Sequence, residues 1–160
     1  MSELLVLAFD EMDTAEKASQ VLADLEAGQL KQLNDVVIVV RHEDGKPQIR
    51  QLKRFTGSKA LGGTFWGFLI GLIFFVPVLG ALVGAVVGTA YAFLHDAGIP
   101  DDFIKQVSET VKPGTSALFM LVSSDPGQVL LRLKEFNGVL VQTTLSDSTV
   151  DHLRDLHAVD

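Results

Sequence analysis

Apolar positions come in short bursts toward both ends of the chain and run without a break through its middle. Leu4 to Phe9 is a compact apolar run suited to a buried strand. Ala15, Ala18, Val21, Leu22 and Leu25 then share one face of a helix predicted over Thr14 to Ala27, with Asp13 placed to cap it and Gly28 to stop it. Asn34 to Arg41 returns to an extended pattern. Asp44-Gly45 is a strong turn signal between two extended runs, which predicts a β-hairpin ending near Lys53. Past the middle, Pro100 to Val111 reads as a short helix stopped by Pro113-Gly114, and Ser116 to Val122 as a strand. Asp125 to Phe136 reads as a helix opened by Asp125 and Pro126, and Gly138 to Thr144 as another strand. A last amphipathic helix, Ser146 to Leu156, aligns Val150, Leu153 and Leu156.

Strand, helix and strand therefore occur twice, on either side of an insertion. This is the split βαβ pattern of an α+β, ferredoxin-like sandwich, an antiparallel sheet with helices on one face; the competing expectation is another small α+β arrangement. With 160 residues there is room for one modest domain and an insertion. The division expected is 1–57 for the first βαβ unit and hairpin, 58–95 for the apolar insert, and 96–160 for a linker helix, the second βαβ unit and the C-terminal helix. The first and last parts form one domain.

The insert holds no charged residue from Ala60 to Leu94. As one straight helix it would be ~50 Å long, against a bilayer core of ~30 Å. Pro77, near its centre, removes a backbone donor and clashes with the preceding turn, so two arms are predicted, about Ser58 to Phe75 and Val78 to Leu94. Gly63, Gly67 and Gly71 fall on one face of the first arm with Ala60 and Thr64, and Phe65, Leu69 and Leu72 fall opposite. Gly80, Gly84 and Gly88 repeat the scheme in the second arm with Ala81, backed by Leu82, Val86 and Phe93. This doubled four-residue spacing is a glycine zipper, which lets helix backbones approach closely. Each helical glycine costs about 1 kcal/mol relative to alanine in water, so close packing or lipid must offset the cost. The alternative is a buried core hairpin of a soluble protein.

A single membrane crossing would separate the two βαβ units, so two crossings or a shallow re-entrant hairpin are required if they share a sheet. Arg50, Lys53, Arg54 and Lys59 precede the first arm, which favours the cytoplasmic side and makes them candidates for contact with anionic lipid headgroups; a solvated strand end explains them as well. Asp96, Asp101 and Asp102 after the second arm count little in that rule.

Composition removes several classes of chemistry. The chain has no cysteine, which excludes disulfides, thiol catalysis and cysteine metal sites. Its formal charge of -7 and lack of a basic stripe argue against nucleic acid. Glu3 and Asp10 bracket the first apolar run, which predicts a strand there rather than an export signal. His42, His95, His152 and His157 read as surface residues; the last two are five apart on a predicted helix, the wrong spacing for two metal ligands. Asp10, Glu11 and Asp13 are explained by helix capping. No phosphate-binding glycine loop follows a strand.

The segments "VLAFDEMDTAEKA", "EDGKP", "GGTFWGFLIGLIFFVPVLGALVGAVVG", "GIPDDFIKQV" and "KPGTSALFMLV" resemble a bacterial family of uncharacterised membrane proteins, the domain of unknown function numbered twelve sixty-nine. That resemblance implies a bacterial source and membrane association, with no catalytic residue to carry over. The expected function is non-enzymatic and without a cofactor. The zipper hairpin inserts in the cytoplasmic membrane and self-associates into a homo-oligomer of high order, with both flanking segments in the cytoplasm. The alternatives are a soluble, protein-only cytoplasmic particle assembled through the hairpins, and a small-ligand sensor suggested by fold analogy.

Overall fold

The computed structural model describes residues 2–24, 33–51, 66, 67, 69–71, 73, 74, 99–122 and 127–145. Five strands, β1 (Ser2–Phe9), β2 (Leu33–Arg41), β3 (Pro47–Gln51), β4 (Thr115–Val122) and β5 (Val139–Leu145), form one sheet in the order β3-β2-β4-β1-β5. All neighbouring pairs are antiparallel. The protein is α+β. β4 lies between β1 and β2, and β1 lies between β4 and β5, so strands from both ends of the chain are interleaved.

The helices are α1 (Thr14–Asp24), α2 (Asp101–Thr110) and α3 (Gly127–Arg132). α3 is followed by a 3-10 turn, Lys134–Phe136, which ends on Asn137 in the left-handed conformation at φ 55°. The helix expected to run unbroken to Phe136 thus tightens after Arg132. Gly114, at φ 81°, makes the turn between α2 and β4, as the Pro113-Gly114 signal implied.

Side chains alternate across the strands and make two cores. On one face Leu5, Leu7 and Phe9 of β1 and Leu118, Met120 and Val122 of β4 pack with Ala15, Ala18 and Leu22 of α1 and Val129 of α3. On the other, Leu4 and Val6 of β1, Val37 and Val39 of β2 and Ala117, Phe119 and Leu121 of β4 meet Phe103, Ile104 and Val107 of α2. That second core also contains Trp66, Leu69, Ile70, Ile73 and Phe74. Helical residues therefore cover both faces of the sheet, where the sequence pattern predicted one. The central strands explain why: they are apolar on both faces, β4 being buried from Ser116 to Val122, and such strands need two covering layers.

The start of α1 is tied to the sheet by a buried hydroxyl. Ser116 Oγ accepts the Ala15 N–H at 3.0 Å and donates to the Glu11 carbonyl. Asp13 stands immediately before the helix, as expected for the cap, its carbonyl accepting the Lys17 N–H, while its carboxylate lies 3.2 Å from Lys17 Nζ. The predicted helix from Ser146 to Leu156 lies outside the described residues.

Candidate functional site

The apolar insert meets the sheet along β2. Trp66, Gly67, Leu69, Ile70, Gly71, Ile73 and Phe74 are helical. Trp66, Leu69, Ile70, Ile73 and Phe74 are spaced i, i+3, i+4, i+7 and i+8, one side of a helix, and each is at most 1% exposed. Gly67 lies on the exposed side, and a Cβ built on it meets nothing within 4 Å. Gly71 is half-buried. These five side chains, Leu69 among them, are thus held by protein, where a free zipper hairpin was expected to turn its large far-face residues to lipid or to neighbouring hairpins; Phe65 and Leu72 lie outside the described residues.

Two polar residues of β2 hold the ends of this contact. The first is Asp35. Leu33 pairs with Val122 and Asp35 with Leu121, so an irregularity between them absorbs one residue. The alternation shifts there: Leu33, Val36 and Ile38 face α1, while Asp35 joins Val37 and Val39 on the opposite face. Asp35 is fully buried. Its Oδ1 accepts the Val36 N–H at 3.0 Å, and its Oδ2 accepts the Trp66 Nε1–H at 2.6 Å. The indole stands edge-on to Phe119 of β4, with ring centroids 6.4 Å apart at 87°.

The second is Arg41, the last residue of β2 and in the same alternation as Asp35. Its guanidinium carbon lies 5.0 Å from the centroid of the Phe74 ring, within cation–π range. Nη1 donates to the Val111 carbonyl at 2.6 Å, beside the C-terminal end of α2 where a cation suits the helix dipole, and Nε donates to the Gly45 carbonyl at 3.2 Å. Desolvation by burial lowers the Arg41 pKa from its ordinary value; a guanidinium nonetheless keeps its proton at neutral pH. One side chain therefore joins the β2–β3 turn, α2 and the apolar segment.

A family profile described as "Protein of unknown function (DUF1269)" matches residues 60–157. The chain belongs to this family. Neither curated proteins nor solved structures provide a match to the chain. The DUF1269 match includes Trp66 and Phe74 but begins after Asp35 and Arg41, so the sheet side of the contact falls in the part of the chain that precedes it.

Of the zipper residues, Gly67 and Gly71 are on the helix just described; Gly63, Gly80, Gly84, Gly88 and the bend at Pro77 lie outside the described residues. So do Lys53, Arg54 and Lys59. Arg50 is in β3, where its Nη1 is 3.0 Å from Glu16 Oε1 of α1 in an exposed ion pair of small energetic value. His42 Nε2 is 3.0 Å from Gln48 Oε1 at the surface, and the other histidines are outside the described residues. Among the described residues no three His, Asp or Glu side chains are grouped to hold a metal ion, and no helix is long and apolar enough to cross a membrane.

Sequence reasoning missed Asp35, Arg41 and Trp66 as partners. Two signals were available: an acid at the head of an apolar strand run, and the sole tryptophan of the chain, whose N–H needs an acceptor when buried.

Proposed function

We propose that this DUF1269 protein is a non-enzymatic, membrane-associated, self-assembling protein in which the sheet holds the base of the apolar insert and the glycine side of the docked helix is its assembly surface. The observation that carries this reading is the division of that helix. Trp66, Leu69, Ile70, Ile73 and Phe74 are buried against the sheet, and Gly67 stands exposed outside that stripe. An exposed glycine on an otherwise anchored helix suits close approach of a second backbone. The remaining uncharged run to Leu94 is compatible in composition with lipid.

The interleaving of β1, β4 and β2 with β5 supports a ferredoxin-like ancestry of the sheet, extended by β3 as an added edge strand and by a second helical layer. In that reading the insert is a cover for the normally open sheet face as well as an assembly element.

A protein-only particle is the second reading, and the burial of Trp66, Leu69, Ile70, Ile73 and Phe74 favours it, because their apolar surface is hidden without lipid. Flotation after detergent-free lysis separates the two. Carbonate-resistant comigration with lipid supports membrane association, and a dense, lipid-free particle of uniform size supports the second reading. Assembly itself is tested with Gly67→Leu and Gly84→Leu. The expected result is a smaller oligomer with unchanged far-UV circular dichroism; an unchanged oligomer size overturns the zipper assignment.

A further inference from the structure

The two outer strands of the sheet are built differently. β3 begins with Pro47, which lacks a backbone donor, and carries Arg50, features that discourage an edge from pairing with another strand. β5 has neither proline nor charge, and the chain is uncharged from Phe136 to Ser146. Val139, Val141, Thr143 and Thr144 make β5 rich in β-branched residues.

Exposed apolar surface gathers at the same edge. Among the described residues four large hydrophobic side chains are exposed, and three are here: Leu131 of α3 at 70%, Val139 at 58% and Leu140 at 36%. Val139 pairs with Ala8 and Leu140 with Leu7, so they project from opposite faces of the sheet. The apolar surface wraps the strand edge. Next to it, Leu7, Leu130, Leu131 and Leu140 line an open groove of about 470 Å³ with Lys134 at its side.

We infer that β5 is a pairing edge for a second copy of this chain, joined antiparallel to the same strand of the first across a two-fold axis near the strand centre. The occupant follows from charge and symmetry. The chain carries a formal charge of -7, so two copies repel through much of their surface, whereas an uncharged strand laid antiparallel on itself brings no like charges opposite one another. A two-fold contact needs one self-complementary patch, and β5 supplies it. Val139, Leu140 and Leu131 then lose their exposure together. This contact is separate from the glycine surface of the docked helix and stands or falls apart from it.

The cysteine-free chain makes the test direct. Single cysteines are placed by Leu140→Cys, Gln142→Cys and Thr143→Cys in the full-length protein, each alone and each with Gly67→Leu, with Glu109→Cys on the exposed side of α2 as the control. Mild oxidation is expected to give a covalent dimer from at least one β5 position and none from Glu109→Cys, and Gly67→Leu leaves that dimer intact. Sedimentation of the Gly67→Leu protein is expected to give a dimer whose mass halves when Val139→Lys is added, with Gln142→Lys as the second variant should Val139→Lys fail to fold. Equal cross-linking at Glu109, absence of dimers from all three β5 positions, or a mass unchanged by the lysine overturns the proposal. Loss of the cross-link on adding Gly67→Leu overturns it too, since the association then runs through the helix. A mass that falls with Val139→Lys but not with Gly67→Leu keeps the β5 edge and removes the zipper.

Discussion

Replacing Asp35 with alanine removes a buried carboxyl that accepts from both the Val36 N–H and the Trp66 Nε1–H. Each buried donor that loses this acceptor costs about 1–3 kcal/mol, so Asp35→Ala is expected to destabilise the protein by roughly 2–6 kcal/mol. That is a large part of the ~5–15 kcal/mol by which domains are usually stable. Trp66→Phe removes the indole donor to Asp35 and keeps an aromatic ring against Phe119. In the Trp66→Phe background Asp35→Ala should therefore cost less, by about 1–3 kcal/mol, which is the coupling between the two residues. Urea unfolding followed by far-UV circular dichroism measures all four proteins of the cycle. Trp66 is the only tryptophan, so its emission in Asp35→Ala separately reports whether the helix leaves the sheet: a red shift at zero denaturant marks release. A coupling below about 0.5 kcal/mol, within the additivity expected of independent sites, refutes the claim that this bond holds the apolar segment in place.

Three further substitutions probe the same framework. Arg41→Lys keeps the charge but not the planar fork that reaches Val111, Gly45 and the Phe74 face together; a loss of about 1–3 kcal/mol is expected in the same urea assay, with an unchanged midpoint as the contrary result. Ser116→Ala takes away the acceptor of the Ala15 N–H and the donor to Glu11, both far away in sequence, and should cost about 1–3 kcal/mol with amide exchange accelerated first at the start of α1. Exchange unaltered there would remove Ser116 as its anchor. A Cβ at Gly138 would lie 2.7 Å from Phe9 Cε1, and Phe9 is buried and edge-on to Phe136 at 6.3 Å. Gly138→Ala is therefore expected to cost about 1–3 kcal/mol and lower the melting temperature; an unchanged melting temperature would mean that the ring yields freely.

Local periodicity by itself determined much of this protein. The alternation and bursts of β1, β2, β4 and β5, the apolar stripe of α1 and the Asp44-Gly45 and Pro113-Gly114 turns depend on neighbours within a few residues, and they are legible for that reason. Composition was equally direct about the absence of cysteine and about the uncharged middle. Within that middle, however, nearly every position is apolar or small, so a wheel places the glycines on one side without saying which of the remaining residues a sheet will choose. Leu69 was legible as lying opposite the glycines; Trp66, Ile70, Ile73 and Phe74 were selected only by the surface of β2 and β4. The continuous apolar run of β4 is a signal of burial on both faces that the expected one-sided sandwich left unused, and the identity of the second layer was not legible at all. The partnership of Asp35 with Trp66 joins residues far apart in sequence and depends on a one-residue irregularity that turns Asp35 to the insert's side of the sheet. Tertiary structure alone decided that, because hydrogen bonding of a buried polar group is settled by whatever the fold brings within reach, and no local pattern records it.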